Sequence, residues 1–130
     1  MVVDGTPRPL KPLVRDEVYR IAAEALRNAA RHAKARHITV EIRYEGRQFR
    51  LVVRDDGVGM DEPALREAPT GHFGLHGMRE RAGIVGGRLE VLTRPGLGTV
   101  VELSIPAAVA YAASRRRPVA VASPGPEPPE

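Results

Sequence analysis

Cysteine and tryptophan are absent from this 130-residue chain, and aromatic residues are few, with two phenylalanines and three tyrosines. The absence of cysteine excludes disulfides and thiolate metal sites, and it is compatible with a reducing environment. No apolar run approaches the ~20 residues that are needed to span a bilayer, and no signal-peptide pattern opens the chain. At this length, with 42% hydrophobic residues, we expect one domain with one hydrophobic core.

Basic residues outnumber acidic ones by 20 to 16, which gives a formal net charge of +4. A groove that binds single-stranded nucleic acid interleaves basic side chains with aromatic ones, and aromatic residues are too few here. The arginines are scattered, and the run Arg115–Arg117 lies in a predicted tail. The charge therefore favours an anionic ligand over nucleic acid. A nucleic-acid-binding module is the alternative that rests on charge alone.

Hydrophobic periodicity divides the chain into helices and strands. Helices are predicted at residues 16–35 and 77–85, and strands at residues 37–44, 48–54, 88–94 and 99–105. The polar residues 61–72 include two prolines and are expected to form a mobile loop.

Three units are expected along the chain. Residues 1–12 contain three prolines and are expected to be a linker or the remnant of an edge strand, as in a domain cut from a longer protein. Residues 13–106 contain the predicted helices and strands. Residues 107–130 are expected to be a C-terminal tail, in which an alanine-rich start can form a few helical turns. Arg, Pro and Glu dominate from about Ser114, where disorder is predicted.

The first predicted helix carries two stripes. A stripe of small and aliphatic residues can lie close against a sheet, and it consists of Val18, Ala22, Ala25, Ala29 and Ala33. A polar stripe of Glu24, Asn28 and Arg31 is rotated from it by well over a quarter turn. Asn28 supplies a neutral oxygen for a hard cation such as Mg²⁺, and Glu24 could orient a water or accept a proton. The alternative is a solvated helix face with ordinary charge spacing.

Two carboxylates and two glycines follow the second predicted strand. Asp55 could accept a hydrogen bond from the amine of a ligand, and Gly57 and Gly59 could let a flat ring approach the backbone. The alternative is that Asp-Gly only closes a hairpin.

Two further glycine-rich segments follow. In Gly71–Arg79, N–H groups at a loop-to-helix junction would favour phosphate, and the alternative is a flexible hinge. Gly96–Thr99, between two predicted strands, indicates a hairpin turn. The histidines His32, His72 and His76 lack metal-ligand spacing, so a zinc site is not expected. The chain also lacks a Gly-x-Ser-x-Gly motif for acyl transfer.

The order of these segments resembles a known family. Glu24-x-x-x-Asn28, Asp55-x-Gly57-x-Gly59, Gly71–Gly77 and Gly96-x-Gly98-Thr99 look like the N, G1, G2 and G3 boxes of the GHKL ATPases. The local sequences of residues 20–33 and 74–82 resemble those of the catalytic and ATP-binding domain of bacterial sensor histidine kinases. It fits the subgroup with a short ATP lid, whose parent proteins often pair with helix-turn-helix response regulators. The resemblance covers roughly residues 14–106.

The resemblance implies an adenine end of the site. Asp55 would accept the adenine amine, and Gly57 and Gly59 would let the ring approach. Thr99 would support the same end. Asp56, where these kinases often have Asn, is expected to support the turn.

The resemblance also implies a phosphate end. Asn28 would hold Mg²⁺ against the triphosphate, and Glu24 occupies the general-base position of the superfamily's ATPases. The other ATP contacts that it implies are Arg31, His32, Lys34, Met60, Gly71, His72, Phe73, Gly74, Leu75, His76 and Gly77. The segment His72–Gly77 has fewer glycines than in many kinases and departs from the family pattern there.

The fold that the resemblance implies is the Bergerat type. It is an α/β two-layer sandwich, with a mixed, mostly antiparallel sheet and helices on one face. The expected function is to bind Mg-ATP and donate its γ-phosphate to a histidine on a separate dimerisation domain, with a response regulator downstream. A free-standing anti-sigma-factor-type serine kinase is the alternative within the superfamily.

None of the four histidines has the His-Asp/Glu context of a phosphoacceptor, so ATP binding with little or no autophosphorylation is expected of the chain alone. The chain is expected to be monomeric, without nucleic-acid or direct membrane contact, and the parent kinase dimeric. The expected location is the cytoplasm, where the parent protein is either free or anchored in the inner membrane.

Overall fold

The computed structural model describes residues 1–33, 36–57, 74–94 and 96–113, with the backbone alone for residues 32, 33, 74 and 75. Its strands are β1 (Val2–Asp4), β2 (Ile38–Tyr44), β3 (Gln48–Asp55), β4 (Arg88–Arg94) and β5 (Gly98–Pro106). Its helices are α1 (Pro12–Asn28), α2 (Gly74–Ile84) and α3 (Ala107–Ala110), and a π-helical turn at Ala29–Ala33 continues α1. Within these ranges no helix is long and apolar enough to cross a membrane.

The five strands form one mixed sheet in the order β1-β2-β3-β5-β4. β1 is parallel to β2, and the other neighbouring pairs are antiparallel. The three helices within the described ranges all contribute residues to a single hydrophobic cluster against one face of this sheet. The predicted α/β two-layer sandwich with a mostly antiparallel sheet is therefore confirmed.

The predicted strands agree with β2 to β5 within one residue at each end. Each of these strands alternates with period two between turn residues, and that local signal fixes its bounds. α2 begins before the predicted residue 77, and its apolar residues Met78 and Ala82 are buried as predicted. The predicted mobile loop at residues 61–72 lies outside the described residues.

The core lies between the helices and the sheet face that carries alternate residues of each strand. The central row of paired residues on this face joins Ile42, Leu51, Leu103 and Leu89. Ile21 of α1 and Met78 of α2 belong to the same cluster and are 0% and 1% exposed. Burying one such side chain stabilises a fold by about 1.5–3 kcal/mol, so these rows supply the main driving force for folding.

The opposite face of the sheet is covered by ion-paired side chains. Val52, at its centre, is 0% exposed and is flanked in register by Glu41 and Glu102. Arg50 pairs with Glu102 at 2.5 Å, and Arg43 pairs with Glu41 at 2.5 Å. The apolar stems of such long side chains shield the strand residue between them while the charged ends face water.

α1 begins at Pro12, four residues before the predicted start at residue 16. Proline has no N–H and its φ suits the first helical turn, so it begins a helix without losing a hydrogen bond. The buried face is also wider than the predicted stripe, because Val14 and Ile21 are buried while Ala22 is only partly so. The stripe of small residues is one edge of an apolar face about 100° wide.

The segments on both sides of the predicted central unit belong to the fold. Val2–Asp4 forms an edge strand, and Leu10 pairs with Tyr111 in an isolated bridge. Lys11 N donates to Ala110 O at 2.9 Å. Ala110 and Tyr111 are 0% and 4% exposed, so the first residues after the predicted boundary at residue 106 pack into the core. The remainder of the predicted tail, residues 114–130, lies outside the described residues.

The Tyr111 side chain binds the turn that joins β2 to β3. Its hydroxyl donates to the carbonyl oxygen of Glu45 at 2.7 Å and lies 3.0 Å from that of Gln48. The guanidinium carbon of Arg8 lies 3.8 Å from the centre of the Tyr111 ring. Burial raises the pKa of the Tyr111 hydroxyl, which keeps it protonated as a donor at neutral pH.

We expect Tyr111→Phe to lower the free energy of unfolding by about 0.5–1.5 kcal/mol, because two backbone carbonyls lose their shared donor. Denaturant unfolding of both proteins measures the difference. Tyr19→Phe is the matched control, since Tyr19 is 77% exposed and the same change there should have almost no effect. Equal losses in the two variants would contradict a structural role for the Tyr111 hydroxyl.

Candidate functional site

The ends of β3 and β5 bring Asp55 and Thr99 side by side, since the two residues are partners in the register. Asp55 follows the core residue Val53 by two positions, so its side chain lies on the helix side of the sheet. Thr99 precedes the core residue Val101 by two positions and lies on the same side. Two side chains predicted for the site are thus neighbours at one end of the sheet.

Asp55 is half-buried, and its Oδ1 accepts a hydrogen bond from the N–H of the buried Gly57 at 2.9 Å. Oδ2 accepts no hydrogen bond from the described residues. β3 pairs on one side with β2, which precedes it, and on the other side with β5, which lies more than 40 residues further along the chain. Asp-Gly therefore does not close a hairpin, and that alternative is wrong.

Thr99 is 3% exposed, and its hydroxyl lies 2.9 Å from the hydroxyl of Thr93. The two residues face each other across the β4–β5 hairpin. The sequence analysis did not single out Thr93. Counting outward from the glycine turn would have paired it with Thr99, because Arg94 and Gly98 are the last partners before the turn.

Gly98 is where β5 approaches the backbone beside Asp55 most closely. Its φ is +104°, and an added Cβ would lie 2.2 Å from the carbonyl oxygen of Asp55. Gly96, in the same turn, has φ +81° but has no atom within 4 Å of such a Cβ. The predicted hairpin turn is present, and its second glycine also allows β5 to lie against Asp55.

Asp56 joins this end of β3 to the segment before β2. Its Oδ1 accepts hydrogen bonds from the backbone N–H groups of Arg36 and His37, both at 2.9 Å. Its Oδ2 lies 2.8 Å from Nδ1 of the His37 ring. The His37 backbone N–H, followed by the His37 ring, lowers the pKa of Asp56 to about 2. Asp56 was expected to support the turn after β3, and it does so through hydrogen bonds to Arg36 and His37, just before the neighbouring strand β2.

Glu24 and Asn28 lie at the C-terminal end of α1. Glu24 is 1% exposed, and its Oε1 lies 2.8 Å from Nη2 of Arg27. Asn28 is half-buried and is the last residue of the helix, while Arg31 is exposed. The solvated-face alternative is therefore wrong for Glu24 and describes Arg31. Arg27 was missed, although its spacing of three residues from Glu24 is a known signal for a helical ion pair.

A π-helical turn at Ala29–Ala33 follows Asn28 directly. Such turns are rare and occur frequently at functional sites. This one contacts β5, the strand that carries Thr99.

A buried ion pair fixes α2 against α1. Nη1 of Arg81 lies 3.0 Å from Oε1 of Glu17, which is 7% exposed. Gly74 and Gly77 lie in the first turn of α2, where N–H groups without helical partners favour anions. His76 in this turn is exposed and lies 3.6 Å from Glu80, so it is held to its own helix.

Several predicted contacts lie outside the described residues, namely Lys34, Gly59, Met60, Gly71, His72 and Phe73. For His32 and Leu75 only the backbone is described. The described ranges contain no group of three or more His, Asp or Glu side chains that could hold a metal ion by themselves.

Asp55, with one oxygen to which no described residue donates, lies beside the buried Thr99 hydroxyl, and this pair is suited to the amine of a ligand such as a nucleotide base. The family model for histidine kinase-, DNA gyrase B- and HSP90-like ATPases matches residues 14–109. The chain belongs to this family. The resemblance drawn from the four boxes is thereby confirmed, and the domain is one that binds ATP.

Relatives and solved structures of the ATPase family agree with this assignment. The chain is 40% identical over 89 residues to the signal transduction histidine-protein kinase/phosphatase DegS of Brevibacillus brevis, covering 68% of this chain and 22% of the relative. It is 39% identical over 93 residues to the sensor histidine kinase LiaS of Bacillus subtilis, covering 72% and 25%. The chain thus spans about a quarter of the length of these curated relatives.

The fold is also similar to that of a solved kinase. The histidine kinase domain of the blue-light activated histidine kinase from Erythrobacter litoralis EL346 superposes with a TM-score of 0.63 at 26% identity. The match covers 82% of this chain and 54% of that one.

We expect Gly98→Ala to destabilise the domain more than Gly96→Ala. The positive φ alone costs about 1–2 kcal/mol for an alanine at either position. Gly98→Ala must also push β5 away from Asp55, so its loss should be clearly larger. Urea unfolding of the two variants measures this difference, and equal losses would show that the close approach is not required.

We expect the contribution of Asp56 to stability to depend on pH in the acid range. Because the folded state lowers its pKa from 3.8 to about 2, the contribution is full above 3.8 and is lost as the pH falls toward 2. The difference in unfolding free energy between the native chain and Asp56→Asn should therefore narrow below about pH 4. Denaturant unfolding from pH 2 to 7 tests this, with Asp16→Asn, whose carboxylate is exposed, as the control.

Proposed function

We propose that this chain is the ATP-binding domain of a two-component sensor histidine kinase. In this role it binds Mg-ATP and presents the γ-phosphate to a histidine on a dimerisation domain. The observation that carries the proposal is the half-buried Asp55 beside the buried Thr99 at one end of the sheet. The relatives named above are histidine kinases, which favours this role over a free-standing serine kinase.

Asp55 is suited to select adenine. A carboxylate only accepts hydrogen bonds, and the exocyclic amine of adenine is a donor. The N–H of Gly57 donates to Oδ1 and fixes the carboxylate. No described residue donates to Oδ2, so Oδ2 can accept a hydrogen bond from a ligand. Guanine carries an oxygen at the equivalent ring position, so the same carboxylate would repel it. Thr99, held by Thr93, offers a second fixed oxygen at this end.

The residues at the other end of the site fit Mg²⁺ bound to a triphosphate. Mg²⁺ in nucleotide sites takes one or two protein oxygens and completes its shell with phosphate oxygens and water. Asn28 is a half-buried side chain with a neutral oxygen at the end of α1 and would be that ligand. When bound, Mg²⁺ would neutralise charge on the triphosphate. Arg31, His32 and Lys34 follow on the chain and would bring positive charge to the phosphates.

Glu24 is suited to orient a group near the phosphates. Arg27 holds its Oε1, and burial restricts its rotamers, so the carboxylate has a defined direction. A histidine acceptor attacks with a ring nitrogen that already carries a lone pair, whereas a serine hydroxyl must lose a proton. In a histidine kinase, Glu24 therefore need not take a proton from the acceptor, and its proposed task is to hold a water beside Asn28.

The partners and location follow from the same proposal. The phosphoacceptor lies on a dimerisation domain, because the four histidines of this chain lack the required context. A response regulator acts downstream, the domain itself is a monomer, and the parent kinase is a dimer. The domain works in the cytoplasm, where its ATP is found.

We expect Asp55→Asn nearly to abolish binding of a non-hydrolysable ATP analogue, because the amide would present a donor to the adenine amine. Asn28→Ala should mainly remove the dependence of binding on Mg²⁺. Calorimetric titration of the native chain and both variants, with and without Mg²⁺, measures both effects. Unchanged affinity in Asp55→Asn would overturn the adenine assignment, and Mg²⁺ dependence that survives Asn28→Ala would overturn the metal assignment.

A further inference from the structure

Four hydrogen bonds join Asp56, just after β3, to Arg36 and His37, just before the neighbouring strand β2. Its carboxylate accepts the Arg36 N–H, the His37 N–H and a contact from the His37 ring, at 2.8–2.9 Å. Its own N–H donates to the His37 carbonyl oxygen at 3.2 Å.

The position of these bonds matters more than their number. Ile38 and Asp55 are the last partners of the β2–β3 ladder, so Asp56 continues the pairing just beyond its end. On the opposite side, Gly98 lies against the Asp55 carbonyl oxygen and the Asp56 Cα. Asp55 is therefore held from both neighbouring strands, by Asp56 on the β2 side and by Gly98 on the β5 side.

The exposure of these side chains limits what they contribute to folding. The His37 side chain is 82% exposed and that of Asp56 is 48% exposed. Exposed ion pairs contribute little to global stability because water screens them. Several hydrogen bonds at one exposed point of the fold act chiefly on the conformation of the adjacent residue, which here is Asp55.

We propose that Asp56 is a positioning residue of the nucleotide site, which sets the orientation of Asp55 by fastening the end of β3 to the start of β2. The proposal rests on the proposed function of Asp55 as the adenine acceptor. Asp56 itself touches no nucleotide. Its removal weakens adenine recognition while the hydrophobic core, to which the Asp56 side chain does not belong, stays intact.

Asp56→Ala and Asp56→Asn separate the parts of this contact. Alanine removes all three bonds that the carboxylate makes. Asparagine keeps one acceptor oxygen for the Arg36 and His37 backbone N–H groups. Tyr111→Phe is the stability control, because it removes a hydrogen-bond donor at the opposite end of β3.

The test is calorimetric titration of the native chain and these three variants with analogues of ATP and GTP, in Mg²⁺ and well below the unfolding temperature. We expect Asp56→Ala to weaken ATP-analogue binding about tenfold, the equivalent of one well-placed hydrogen bond, and to reduce the preference for ATP over GTP. Asp56→Asn should restore most of the affinity. Tyr111→Phe should leave both affinity and preference unchanged.

The outcomes distinguish a failure of the proposed function from a failure of the positioning role of Asp56. If the native chain binds no ATP analogue, the proposed function itself fails. If the native chain binds and Asp56→Ala binds equally well with the same preference, the positioning role of Asp56 is overturned. It is also overturned if Tyr111→Phe weakens binding as much as Asp56→Ala does, since the effect would then be one of general stability.

Discussion

The alternation of β3 is the constraint on which both the core and the site depend. Phe49, Leu51 and Val53 point to the helices, and Asp55 is the next member of the same series. A slip of one residue in the register would turn every member of the series to the opposite face. The same pairing that buries the apolar residues therefore brings Asp55 beside Thr99, and hydrophobic burial indirectly fixes the ligand-binding geometry.

The strands and helices were readable from local sequence because their signals are local. Period-two alternation located β2 to β5, and the order of the glycine boxes singled out Asp55 and Thr99, which the structure places side by side. The contacts that hold Asp55 could not be found in this way. Gly98 reaches Asp55, and His37 reaches the neighbouring Asp56, from distant parts of the chain, and these contacts exist only once β3 lies between β2 and β5.

The role of Tyr111 could not be predicted, because it depends on contacts between the two flanking segments, where Leu10 pairs with Tyr111. Proline-rich and alanine-rich stretches have no period that predicts such pairing. Burial of Glu24 was also missed, because a charged residue in a helix is ordinarily solvated unless a partner such as Arg27 accompanies it.

The ion-paired face of the sheet has a consequence for crowded conditions. Two sheets that stack face to face, about 10 Å apart, need a dry interface of interlocking side chains. Here such stacking would have to strip water from Arg50, Glu102 and their neighbours, at several kcal/mol for each ion. Val52 is therefore shielded by charged side chains, and the centre of this face presents ion pairs instead of an apolar surface to another copy of the domain.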